Sequence, residues 1–190
     1  MRNHPVILAW ILGTSLLHAH AQGTCPATHP SEFKIELKRL GVDEVMDNGV
    51  KVPRVYGDIG VNGQNFGRFY ENPALKIAAG VYRGTLRYES NHNFVQGSCG
   101  EIGRQGDFLL EVSGVKAADG AKRTDILFHP GFKPSHSKGC VLFGARQRDA
   151  AGNPKPLSPD EPLVKLRRAF YGTDTPNQCP NKVITITVTG

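Results

Sequence analysis

Strict alternation of apolar and polar residues near both ends of the chain constrains its fold most. Phe33, Ile35 and Leu37 share one parity while Lys34, Glu36 and Lys38 share the other. Far along the chain, Ile184, Ile186 and Val188 alternate with Val183, Thr185, Thr187 and Thr189. A period of two marks a half-buried strand, because successive side chains point to opposite faces of a sheet. Further strands are expected at residues 50–61, weakened by Pro53 and Gly57, at residues 77–89 and at residues 108–112. Asn62-Gly63 has hairpin-turn chemistry, and residues 41–49, ending in Asp47-Asn48-Gly49, read as turn-rich. A single helix is expected near the C-terminal end. Ser158 reads as its N-cap, Pro159 as its first helical position and Glu161 as the partner in a capping box. Leu163, Leu166, Ala169 and Phe170 form its apolar face, and Gly172 ends it. Many short strands, one helix, no internal repeat and no long linker imply one mainly-β domain, a barrel or a sandwich.

Residues 124–144, TDILFHPGFKPSHSKGCVLFG, carry the chemistry. Ile126, Leu127 and Phe128 form a short apolar run that delivers His129 at its end. Pro130, Gly131 and Pro134 turn the chain into a polar loop, which returns through Ser137-Lys138-Gly139-Cys140 into Val141-Leu142-Phe143. A histidine and a cysteine eleven positions apart thus sit at neighbouring strand ends, where an imidazole can take a thiol proton. Gly139 lets the backbone bend so that Cys140 faces outward, with the Gly139 and Cys140 N–H groups directed at one oxyanion. Ser137 would hold the loop. Lys138 would place a positive charge near the thiol or bind a substrate carboxylate, and His136 lies beside it as a substrate contact.

At these residues the chain resembles the L,D-transpeptidase-like (YkuD-type) domains. It is closest to a short-loop branch with the pattern I-H-x-G…[ST]-x-G-C-I. Weaker likeness extends upstream to Gly67-Arg68-Phe69-Tyr70-Glu71-Asn72-Pro73 and to Lys76-Ile77-Ala78-Ala79-Gly80-Val81-Tyr82, and covers roughly residues 55–190. Lys138 stands where the best-known members carry histidine. The resemblance implies an L,D-transpeptidase-like β-barrel or sandwich. It also implies an enzyme that cleaves or exchanges peptide bonds of the peptidoglycan stem peptide through an acyl-enzyme. On this reading Cys140 is the nucleophile, His129 the base, and no cofactor is needed. The rivals are a non-catalytic module binding the cell wall or a cognate partner protein, and a structural domain in which Cys99 and Cys140 are bridged. A zinc site at His129, His136 and Cys140 has suitable ligand types, but Cys-x-x-Cys and His-x-x-x-His spacings are absent.

Residues 1–21 read as an export signal: Arg2, an apolar run over 6–17, and Ala19-His20-Ala21 as the cleavage site. Residues 22–190 then form the mature domain, with no later apolar run long enough to span a bilayer. The expected location is the periplasm or outside the cell. An oxidising compartment allows disulfides among the four cysteines. Cys25 and Cys179, each beside a proline near a chain end, are the expected pair. A formal charge of +6 reads first as a generally soluble, slightly basic surface, and it would also suit an anionic partner such as the cell-wall polymer. No basic run is interleaved with aromatics, and no phosphate-binding loop motif is present, which argues against nucleic-acid and nucleotide roles. The glycine-rich residues 89–107 are expected to form a loop over the site.

Overall fold

The computed structural model describes residues 31–86, 110–117, 119–144, 149–151, 158–173 and 180–190. The expected export leader, the expected Cys25–Cys179 bridge, Cys99 and the expected loop at 89–107 lie outside these residues. Eight strands close into one barrel. In chain order they are β1 (Ser31–Asp47), β2 (Val50–Val61), β3 (Gln64–Glu71), β4 (Gly80–Leu86), β5 (Leu110–Ser113), β6 (Leu127–His129), β7 (Val141–Leu142) and β8 (Lys182–Thr189). Around the barrel the order is β1-β2-β3-β7-β6-β5-β4-β8, and β8 pairs in parallel with β1 to close it. The protein is therefore mainly β and a barrel rather than a sandwich. Among the described residues it has one α-helix, α1 (Pro162–Tyr171).

The alternation read from the sequence fills this barrel. Phe33, Ile35 and Leu37 of β1 and Ile184, Ile186 and Val188 of β8 turn inward, joined by Ile59, Val61, Phe66, Phe69, Leu110, Val112, Phe128 and Val141. Helix α1 adds Leu163, Leu166 and Phe170 to the same core, with Phe170 edge-on to Phe33 at 5.3 Å. Closure removes open sheet edges around the barrel, where they would otherwise invite pairing with other chains, and leaves one where the β1–β2 hairpin runs past β3.

Two boundaries differ from the expected ones, each for a local reason. Strand β1 does not stop near residue 40. A bulge between Arg39 and Gly41 absorbs the irregularity, and pairing with β2 continues to Asp47↔Val50. The turn is then only Asn48-Gly49, with φ of 50° and 84°, the left-handed pair that suits a tight hairpin. Pro53 is tolerated because β2 pairs with β3 only from Val55 on, so Pro53 lies on an open edge. Helix α1 starts at Pro162, not at Pro159. A residue before proline is driven out of the helical region, and Glu161, with ψ 138°, is the extended N-cap. Ser158 instead opens a turn, its carbonyl accepting from Glu161 N–H at 3.0 Å. Gly172, at φ 75°, ends the helix as expected.

Candidate active site

Strands β6 and β7 are short and parallel, with Phe128 beside Val141 and His129 beside Leu142. Phe128 and Val141 point into the barrel core. The pleat turns Leu127, His129, Cys140 and Leu142 to the outer face. Leu127 and Leu142 are nonetheless fully buried, so this outer face is covered, and His129 and Cys140 are the half-buried polar groups on it. His129 ends β6 and Cys140 immediately precedes β7, two residues out of step, roughly 6.6 Å along the strand direction. The chain leaves β6 at His129 and returns at Cys140 through one loop, whose ends are tied by Phe143 N–H to His129 O at 3.0 Å.

The sulfur is held by main chain. Leu127 N–H donates to Cys140 Sγ at 3.4 Å, and the thiol donates to Asp125 O at 3.3 Å. Asp125 makes that carbonyl available by adopting φ 57°, a left-handed conformation rare outside glycine. Burial pushes the Cys140 thiol above its ordinary pKa, opposed by the Leu127 N–H and by the positive charge of Arg123. Cys140 is unbridged, and at neutral pH its resting form is the neutral thiol.

The turn before the cysteine is built by Ser137 and Gly139. The buried Ser137 hydroxyl donates to Cys140 O and accepts the Gly139 N–H, both at 2.9 Å. The Gly139 amide, one of the two expected oxyanion donors, is thus committed to Ser137, and the Cys140 amide is the other. Gly139 has φ 111°, and a Cβ there would overlap an Arg123 guanidinium nitrogen and fall 2.7 Å from Leu75 O. Only glycine suits the position. Arg123 donates to Leu75 O and to Lys138 O, each at 3.0 Å. The positive charge that acts on the thiol is that of Arg123. Lys138 is exposed and contributes its carbonyl to the Arg123 contact.

His129 Nδ1 lies 2.9 Å from Pro130 O. A carbonyl only accepts, so the contact calls for a proton on Nδ1; in the neutral ring that leaves the lone pair on Nε2, the form a general base needs. His136 ends a 3-10 turn, Pro134–His136, and accepts Phe132 N–H on Nδ1 at 3.4 Å. Burial holds its pKa below the ordinary value. The β1–β2 hairpin braces this loop. Asp47 accepts both Ser135 N–H at 2.8 Å and Ser135 O–H at 2.6 Å. Arg54 is paired to both oxygens of Asp43, stacks 4.0 Å over Tyr70, and donates to Phe132 O at 2.8 Å.

No family model, no curated protein and no solved structure matches the chain. The site therefore rests on its own chemistry. His129, Ser137, Gly139 and Cys140 are brought together by β6, β7 and the turn between them. His136 faces Phe132 and the hairpin, and among the described residues no three His, Cys, Asp or Glu side chains cluster as metal ligands. Sequence reasoning missed Arg123, the Asp125 carbonyl and the Asp47 and Arg54 braces. Arg123 ends a polar connection with no motif of its own, and Asp125, at the start of the 124–144 stretch, acts through its carbonyl, which residue type does not signal. Asp47 and Arg54 sit in a stretch whose turn signals masked a longer hairpin.

Among the described residues no helix is long and apolar enough to cross a membrane.

Proposed function

We propose that the protein is an exported, cysteine-dependent acyl-transfer enzyme acting on peptidoglycan stem peptides, as a transpeptidase or a carboxypeptidase. The observation that carries the reading is the pairing of β6 with β7. It sets an unbridged thiol and an imidazole with its lone pair on Nε2 on one covered face, beside a turn locked by Ser137. The choice of stem peptides follows the resemblance of the His129–Cys140 motif to L,D-transpeptidase-like domains.

In the reaction, the neutral thiol leaves the Asp125 carbonyl and gives its proton to His129 Nε2. The sulfur attacks the peptide carbonyl carbon, forming a C–S bond, and the Cys140 amide donates to the oxyanion. Collapse breaks the C–N bond, and the imidazolium returns the proton to the leaving amine. The thioester is then opened by an acceptor amine, which gives transfer, or by water, which gives hydrolysis.

The test is incubation of purified stem peptides with the wild type and with Cys140→Ala. The expected result is a covalent acyl adduct on Cys140, and product formation lost in the variant. Product formed equally by Cys140→Ala would end the cysteine-dependent reading. The main-chain hydrogen bonds to the sulfur and its raised pKa favour one alternative, a non-catalytic wall-binding or partner-binding module in which Cys140 only packs. Peptide binding without any adduct would select it.

A further inference from the structure

We propose that Arg123 is a positioning residue for the Cys140 site: it clamps the turn before the cysteine to the loop after β3 and holds a positive charge beside the sulfur. This rests on the acyl-transfer reading only for its consequence in catalysis.

The geometry is specific. One guanidinium spans two carbonyls from different loops, Leu75 O and Lys138 O, at 3.0 Å each. It lies against the Gly139 Cα so closely that any side chain there would displace it. A planar fork with fixed donors suits two carbonyls on separate loops, whereas a lysine ammonium is a single point. Arg123 is itself placed by its backbone, with its N–H donating to Val115 O at 2.9 Å. The segment it opens wraps the thiol: Asp125 O accepts from the sulfur and Leu127 N–H donates to it. Of the charged groups whose fields reach the thiol, Arg123 favours the thiolate and Asp125 opposes it. Burial disfavours the thiolate most; the Leu127 N–H and then the Arg123 charge work against it, so an arginine held at this point helps to bring deprotonation within reach of an imidazole.

The test uses the mature protein and the pH dependence of iodoacetamide alkylation, followed at Cys140 by peptide mass spectrometry so that the other cysteines do not interfere. Arg123→Gln is expected to move the alkylation midpoint up by about one pH unit. At a pH below both midpoints this slows alkylation about tenfold. Lys122→Met, a neighbouring exposed lysine, leaves the midpoint in place. Arg123→Lys keeps the charge, so its midpoint stays within about half a unit of the wild type. Having lost the second hydrogen bond of the fork, it exchanges backbone amides of residues 137–141 about fivefold faster. An unmoved midpoint in Arg123→Gln overturns the charge assignment, as does a shift seen only on replacing Lys138. Unchanged amide exchange in Arg123→Lys overturns the clamp. Should Arg123→Gln not fold, Arg123→Lys decides alone: a midpoint displaced by a full unit or unchanged exchange refutes the proposal. Alkylation needs no substrate, so a failure of the acyl-transfer reading, seen as turnover surviving Cys140→Ala, is distinguishable from either result.

Discussion

Replacing Glu71 with glutamine tests whether the barrel end that carries the site is held by charge. Glu71 is fully buried and the Arg39 side chain is 6% exposed. Arg39 Nε donates to Glu71 Oε2 at 2.7 Å and one Nη to Oε1 at 3.1 Å, while its remaining bonds reach the carbonyls of Ile77 and Gly190. The pair thus ties β1, the end of β3, the loop after it and the end of β8. Removing one partner of a buried pair leaves an uncompensated charge, at about 3–5 kcal/mol. Glutamine keeps one acceptor, so about 3 kcal/mol is expected. At about 2–4 °C per kcal/mol for a domain of this size, the melting temperature should fall by about 6–12 °C. Thermal unfolding followed by circular dichroism reads this directly. The double variant Arg39→Met, Glu71→Leu should recover most of the loss, because it buries no charge. Glu71→Gln melting within about 2 °C of the wild type, or a double variant less stable than the single, would refute the reasoning.

Gly139→Ala should lose about 1–3 kcal/mol from backbone strain alone, measured by chemical denaturation, since the arginine can swing away but the Leu75 carbonyl cannot. His129→Ala should slow stem-peptide turnover by about 10²–10⁴-fold, yet leave the alkylation profile of Cys140 nearly unmoved, because the resting thiol bonds main chain. Asp47 has its carboxyl pKa lowered first by the Ser135 hydroxyl and then by the Ser135 N–H. A depressed folded pKa contributes stability that is present above the unfolded value near 3.9 and lost as pH falls through the folded value. The stability gap between wild type and Asp47→Asn should therefore narrow below about pH 4 in denaturation curves.

What was legible in the sequence was whatever is written in local periodicity. β8 and the first half of β1 could be read from parity alone, and Gly172 from the need for a left-handed helix stop. The His129–Cys140 loop was legible because its turn residues and flanking apolar runs are contiguous. Closure into a barrel was not, since it depends on β1 meeting β8 across almost the whole described chain. Nor was Arg123, whose partners Leu75 and Lys138 are 48 and 15 residues away. Turn residues also misled: Gly41 and Asp47-Asn48-Gly49 suggested one broad turn, whereas a bulge lets the strand run on and reach Ser135. The helix start failed through competition between two prolines, with Pro162 overriding the capping box that Ser158 and Glu161 suggested.

The resting state of the thiol links these features. A cysteine next to a histidine invites the expectation of a ready ion pair, but burial favours the neutral thiol and its hydrogen goes to Asp125 O. On the proposed acyl-transfer mechanism, deprotonation is then a step of the reaction that follows release of the sulfur from that carbonyl. Such a site tolerates an oxidising compartment better than a standing thiolate does, because the thiolate is the reactive form. It also demands a rigid frame, since the sulfur must swing from Asp125 toward His129 without the turn following it. Ser137, Gly139 and Arg123 fix the turn from one side, and the Asp47 and Arg54 braces fix the loop from the other. The hairpin that the turn signals concealed is thus part of the same device as the motif that they revealed.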